Sequence, residues 1–306
     1  MNLSILYRGP LSSCNYGCHY CPFAKRVEGA AELARDRRAL ERFVAWVADH
    51  PQFHISVLFT PWGEALIRPW YQRALIQLSH LSNVEKAAVQ TNLSGRLDWT
   101  EQCDKERVAL WATFHPSETT RARFVTQCQE LDRRGLRYSV GVVGLNEHGE
   151  EIEALRQSLA TGVYLWINAY KREPDYYDEA MVERFARIDS LFPVNNQYHP
   201  SLGRKCRTGH SVIAVDGAGT IRRCHFVREP LGNLYEPGFE QGLMERPCPN
   251  QTCGCHIGYA HLEELNLLQV FGSGLLERIP ANPADESPKP SPLLSAFNES
   301  RSGRDG

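Results

Sequence analysis

The stretch Cys14-Asn15-Tyr16-Gly17-Cys18-His19-Tyr20-Cys21-Pro22 lies a few residues after the short apolar run Leu3–Tyr7. Such a run, apolar on both parities and rich in β-branched or aromatic residues, reads as a strand buried on both faces. Five more follow, at Ile55–Phe59, Ala87–Val89, Val108–Phe114, Tyr138–Val143 and Val163–Ile167. Between them apolar residues recur at helical spacing: Leu33, Leu40, Phe43, Val44 and Val47; Trp70, Ala74, Leu75, Leu78 and Leu81; Phe124, Cys128 and Leu131. Ser117 and Glu118 are expected to cap the third of these helices and Gly135 to stop it. A last helix is expected from about Asp178 to Leu191. Strand–helix alternation of this kind implies right-handed parallel crossovers and an α/β fold. Six units fall short of the eight of a closed barrel. The expected fold is therefore a partial (β/α)6 TIM-like barrel, with a doubly wound sheet as the alternative. The cysteine loop leaves the carboxyl end of the first strand, where α/β barrels build active sites.

Composition narrows the function. The chain has 306 residues, with 34 Lys plus Arg against 36 Asp plus Glu and a formal charge of −2. That argues against a nucleic-acid partner held by a basic surface. No apolar run reaches the roughly 18 residues that span a bilayer, and Met1–Ser13 lacks the long apolar core of a signal peptide. No membrane partner and a cytoplasmic location are expected. The pattern changes near Pro200: Ser211–Val215, the turn Asp216-Gly217-Ala218-Gly219 and Thr220–Phe226 read as a hairpin, and a short helix is expected from about Gly258 to Val270. The expected organisation is a barrel over 1–200, a small Cys-rich β-hairpin extension over 201–270 and a disordered, Pro- and Ser-rich tail over 280–306.

Ten cysteines are many for a reducing compartment, and they cluster. Cys14, Cys18 and Cys21 stand at C-x3-C-x2-C spacing. Cys206, Cys224, Cys248, Cys253 and Cys255 form a second group, while Cys103 and Cys128 stand alone in helical contexts and read as core. Three thiolates on a compact loop can hold three corners of a [4Fe–4S] cube, leaving one iron open to an exogenous ligand. An open coordination position marks a catalytic site. The alternative is a zinc site with His19 as fourth ligand.

The C-x3-C-x-aromatic-C loop after the first strand of a partial barrel resembles the radical S-adenosylmethionine (SAM) superfamily. The resemblance implies that Cys14, Cys18 and Cys21 hold a [4Fe–4S] cluster and that SAM chelates the open iron. It implies reductive cleavage of SAM to methionine and a 5′-deoxyadenosyl radical that abstracts a substrate hydrogen. Tyr20 stands where the family places an aromatic against the adenine. Thr60-Pro61-Trp62-Gly63-Glu64-Ala65 is similar to the family's Gly-Gly-Glu-Pro motif, with Trp62 for the first glycine and Ala65 for the proline. Gly63 would let a backbone carbonyl approach and Glu64 would offset the SAM ammonium. Thr91 and Asn92, Thr113, Ser139 and Asn168 lie on later strands and are the remaining cofactor-binding candidates; capping of strand ends is their alternative role.

The second group resembles the Twitch and SPASM extensions of that superfamily, whose first half reads C-x9–15-G-x4-C. The Cys206…Gly219…Cys224 spacing matches it, and the downstream cysteines lack the full SPASM order. One auxiliary [4Fe–4S] cluster is expected, on Cys206, Cys224 and two of Cys248, Cys253 and Cys255; a zinc ribbon is the alternative. The expected function is a radical SAM enzyme acting on a peptide or protein substrate, fed by a low-potential donor such as flavodoxin or ferredoxin. A small-molecule dehydrogenase and a non-catalytic zinc or iron–sulfur protein are the rival readings.

Overall fold

A computed structural model describes residues 1–23 and 26–282. In chain order the elements are β1 (Asn2–Arg8), α1 (Ala30–Ala48), β2 (His54–Phe59), α2 (Pro69–Ser79), β3 (Val84–Thr91), β4 (Val108–Phe114), α3 (Arg121–Arg134), β5 (Arg137–Gly144), α4 (Gly149–Ser158) and β6 (Leu165–Ala169). They are followed by α5 (Glu179–Ala186), α6 (Phe192–Asn195), β7 (His199–Pro200), β8 (Val212–Asp216), β9 (Thr220–Arg222), β10 (Pro230–Asn233), β11 (Thr252–Cys253), α7 (His256–Tyr259) and α8 (Leu267–Phe271). The fold class is α/β with parallel strands, the partial barrel that the alternation predicts. No helix among the described residues is long and apolar enough to cross a membrane.

The chain forms two compact units. The first comprises Met1–Tyr138 and Arg207–Arg246. In it β1, β2, β3 and β4 pair in parallel, with Ile5 opposite Val57, Leu58 opposite Ala88 and Val89 opposite Leu110. The hairpin joins this sheet: β8 runs parallel to β1 with Tyr7 opposite Val215, β9 is antiparallel to β8, and β10 is antiparallel to β9. Strand β1 is thus central, which is why Leu3, Ile5, Leu6 and Tyr7 are all buried. Tyr7 stacks on Phe43 of α1 with ring centroids 4.4 Å apart, and Phe59 meets Tyr71 of α2 edge-on at 5.7 Å.

The second unit comprises Ser139–Cys206 and the described residues from Pro247. There β5 and β6 pair in parallel, with Val142 opposite Ile167, and β7 pairs with β11. Residues 283–306 of the expected tail lie outside the described residues.

Four local expectations are corrected. Helix α3 is capped by Thr120, whose side chain accepts the Arg123 N–H, rather than by Ser117 or Glu118; Gly135 does end it, with φ +67°. The β3–β4 crossover holds a 3-10 turn at Asp98–Gln102 in place of an α-helix. Its tight packing shows at Gly95, where a Cβ would lie 2.9 Å from the Leu66 carbonyl oxygen. The helix expected to Leu191 stops at Ala186. Asp189 turns inward, accepting from Tyr164 Oη at 2.6 Å, Ile167 N at 2.8 Å and Leu191 N at 3.0 Å, which pulls the chain off the helical path. The helix expected over Gly258–Val270 is split into α7 and α8, because Asn266 adopts φ +49°.

Candidate active site

The groups that pin the first cysteine loop lie in the first unit. Two buried carboxylates, Asp36 and Glu28, and the half-buried Glu118 pin the loop by its backbone. Asp36, on the core face of α1, accepts Leu11 N at 3.0 Å as well as Trp70 Nε1 at 2.7 Å. Glu28 accepts Ser12 N, Ser13 N and Ser13 Oγ at 2.8–3.0 Å. Burial pushes the Glu28 carboxyl up, but those donors outweigh it and leave it below its ordinary value. Glu118 accepts Gly17 N at 3.0 Å. The carboxyl end of β2 docks on the same segment: Trp62 N and Gly63 N both donate to Leu11 O, at 3.2 and 3.3 Å, and Glu64 N donates to Ser13 O at 3.1 Å. Gly63 is required by that approach, since a Cβ there would lie 2.0 Å from Ser13 O.

None of the three cysteines is in a disulfide, and Cys21 lies within electrostatic reach of both Cys14 and Cys18. Burial pushes the Cys14 thiol up, and Glu64 and Cys21 add to the effect. Burial pushes Cys18 up to about 11, again with a contribution from Cys21. Cys14 Sγ accepts Tyr16 N at 3.4 Å and the Asn92 side-chain amide at 3.7 Å. Cys18 Sγ lies 3.4 Å from His115 Nδ1, which also meets Tyr20 Oη at 2.9 Å. Tyr20 is buried, its ring nearly parallel to that of His115 at 13°. Burial holds His115 down at about 4, so it is neutral at physiological pH.

Glu64 is buried beneath this loop. Its Oε1 accepts Thr91 Oγ1 at 2.7 Å and Leu66 N at 2.9 Å, and its Oε2 accepts Asn92 N at 2.6 Å. Burial raises its carboxyl despite these donors. Glu64 therefore ties the end of β2 to the end of β3, and Thr91 serves that tie. Leu93, next in the chain, adopts φ +56° and is buried. A left-handed leucine costs about 1–2 kcal/mol, offset here by the turn that aims Thr91 and Asn92 at Glu64. Asn92 also donates to Asn15 Oδ1 at 3.0 Å, so the structure gathers Cys14, Asn15, Glu64, Thr91 and Asn92 around one loop. Thr113 is half-buried near the end of β4.

Two cofactor candidates belong to the second unit. Ser139 is near the start of β5, not at its carboxyl end, and its hydroxyl donates to Glu277 O at 2.6 Å. Asn168 is exposed, one residue before the end of β6.

The later cysteines divide between the units. Cys224 is buried in the first, just beyond β9. Cys206, Cys248, Cys253 and Cys255 are in the second. Gly203 N donates to Cys248 O at 2.8 Å and Cys248 N to Arg204 O at 3.0 Å, which places Cys248 beside the segment leading into Cys206. Cys253 lies on β11 opposite His199, and exposed Cys255 precedes α7. Between them, Gly254 O accepts Lys171 Nζ at 2.5 Å; Lys171 also donates to Asn195 O and Gln197 O, at 2.6 and 3.2 Å. Among the described residues no three or more His, Cys, Asp or Glu side chains converge as for one metal ion. A cubane cluster binds each sulfur to a separate iron and does not need that convergence.

Sequence reading missed the loop-pinning roles of Glu28, Asp36 and Glu118. Asp36 had a signal, an acid on the buried stripe between Leu33 and Leu40; the other two had none.

Comparison with known proteins bears on the fold. No family model matches the chain, and no curated protein matches it in sequence. Among solved structures, native anSMEcpe with bound AdoMet superposes with a TM-score of 0.50 at 14% identity, over 79% of this chain and 83% of that one. SuiB from Streptococcus suis gives 0.53 at 14%, over 80% of this chain and 66% of that one. A complex of anSMEcpe with AdoMet and the Kp18Cys peptide gives 0.50 at 13%, over 79% of this chain and 82% of that one. These are radical SAM enzymes, and the chain has their α/β fold.

Proposed function

We propose that the protein is a radical SAM enzyme whose [4Fe–4S] cluster is held by Cys14, Cys18 and Cys21. The observation that carries this reading is the loop itself: three cysteines at C-x3-C-x2-C spacing, none in a disulfide, with Cys21 in electrostatic reach of both others, beyond the carboxyl end of a central parallel strand. The donor set fits such a cluster, with three sulfurs and no fourth cysteine on the loop. The cluster, when bound, supplies the single electron that splits the sulfonium of SAM into methionine and a 5′-deoxyadenosyl radical. The chain's own groups prepare the place. The Asn92 amide and the Tyr16 N–H point at Cys14 Sγ, where hydrogen bonds favour the thiolate over the thiol. Tyr20 and His115 cover Cys18 and keep water from it. Glu64 fixes the two strand ends beside the loop, and both its oxygens already accept protein donors.

The proposed substrate is a peptide or protein, as in the peptide complex of anSMEcpe. The proposed auxiliary cluster draws on Cys206, Cys248, Cys253 and Cys255 of the second unit, where the Lys171 clamp on Gly254 and the backbone pairing of Cys248 favour an ordered metal loop.

Anaerobic reconstitution with iron and sulfide, followed by dithionite and SAM, tests the reading. Brown absorbance, two clusters' worth of iron and 5′-deoxyadenosine without substrate are expected. Cys18→Ala should lose all SAM cleavage and one cluster's iron. Tight zinc with no 5′-deoxyadenosine would overturn it.

A further inference from the structure

A second concave site lies in the first unit and is lined by no cysteine. It is a cavity of about 630 Å³ lined by Arg8, Trp62, the α1 residues Arg35 and Ala39, and Arg222 and His225 from the hairpin. It opens outside the carboxyl ends of β1 and β8. Those two parallel neighbours have connections that run to opposite sides: β1 leads on to β2, whereas β8 turns back through β9. Open α/β sheets bind ligands in the crevice at such a switch point. The volume lies within the range of small-molecule sites, roughly 300–1,000 Å³.

The chemistry of the walls selects the ligand. Three guanidinium groups face the cavity against one carboxylate, Asp216. Asp216 is already occupied: Oδ2 accepts Arg222 Nη1 at 2.9 Å, and Oδ1 accepts Ala218 N and Thr220 N at 3.0 Å. Arg8 is held in place by Nε donating to Thr60 O at 2.9 Å, its guanidinium 5.9 Å from the Trp62 ring centre. Arg35 has no ion pair among the described residues. Positive potential is therefore left over. Between the cations the wall is apolar, formed by Pro10, Ala39, Val215 and Trp62, the last 49% exposed and stacked on Phe23.

We infer that this crevice binds a small anionic ligand, a carboxylate or phosphate carried on a flat apolar body. The body lies against Trp62 and Ala39, and the anion meets Arg8 and Arg35. The inference does not depend on the cluster assignment, because the binding it concerns involves no cysteine.

Equilibrium dialysis on the reconstituted full-length protein tests it, with 1-naphthyl phosphate and 1-naphthoate as probes and uncharged 1-naphthol as control. One equivalent of at least one anion should bind saturably, with 1-naphthol at least about tenfold weaker. Tighter binding of the phosphate or of the carboxylate identifies which anion the site takes. Arg35→Glu, on the exposed face of α1, should weaken binding at least about tenfold with unchanged iron content and circular dichroism. Ala39→Trp, which fills the cavity, should abolish it. Absence of saturable anion binding would overturn the inference, as would binding that both variants leave intact.

Discussion

Replacing Gly63 with alanine probes the packing on which the cysteine loop depends. The added methyl would lie 2.0 Å from Ser13 O, 2.7 Å from Ser13 C and 2.9 Å from Ser13 N. All three are backbone atoms, so no side chain can swing aside. Reaching ordinary contact at 3.4 Å requires the two segments to part by about 1.4 Å. That separation breaks the bonds from Trp62 N and Gly63 N to Leu11 O and from Glu64 N to Ser13 O. At about 1 kcal/mol net for each, the loss is about 2–3 kcal/mol, in line with the usual penalty for overpacking. It corresponds to a Tm lower by roughly 5–10 °C. Because Ser13 precedes Cys14, the same displacement moves a proposed ligand, and misplacement by about 1 Å can lower turnover about 100-fold. The assay is an anaerobic thermal melt, iron per chain and 5′-deoxyadenosine release. Gly17→Ala in the same loop is the matched control, since nothing lies within 4 Å of its Cβ position, and it should melt within about 0.5 kcal/mol of the parent. A Gly63→Ala protein with parental Tm and full iron would refute the packing argument.

Thr120→Ala removes the cap of α3 and should cost about 1 kcal/mol in urea denaturation, whereas Ser117→Ala should be neutral. Burial pushes the Cys103 and Cys128 thiols up to about 11 and 12, so neither should react with iodoacetamide at pH 8 in the folded metal-free protein, while exposed Cys255 should be alkylated first; mass spectrometry of the peptides decides. Burial holds His199 down at about 4, so the folded state binds fewer protons than the unfolded state between pH 6.5 and 4. Its contribution to stability is complete above pH 6.5 and falls by about 2 kcal/mol by pH 5 and about 3 kcal/mol in full below pH 4. His199→Phe should flatten that acid limb in urea titrations; an unchanged slope would rule His199 out as its source.

The parallel strands and the first three helices were legible because burial on both faces and helical stripes leave strong periodic signals. Helix α4 left only Ile152 and Leu155 as buried apolar residues, too faint a stripe to single out. The end of α5 was hidden because Asp189 reads as solvent-facing until Tyr164 and Ile167 are seen to claim it. At the site, spacing singled out the three cysteines, whereas Tyr20, Glu64 and Asn92 came only from the resemblance to family motifs. The contacts that pin the loop could not, since Gly17 and Glu118 are 101 positions apart and nothing local couples them. Ser139 misled because a polar residue on a strand does not reveal which end it occupies. The left-handed backbone of Leu93 carries no glycine or asparagine to announce it.

The docking of β8 against β1 has a consequence for synthesis. Ser4 pairs with Val212, so β1 waits for a partner made about 200 residues later. During that interval one edge of a strand with the apolar run Ile5–Tyr7 offers unpaired amide and carbonyl groups to any neighbouring nascent chain. Completion of the sheet is thus delayed until β8 is made, and chaperone occupancy of β1 should govern how much of the polypeptide escapes aggregation when it is overproduced.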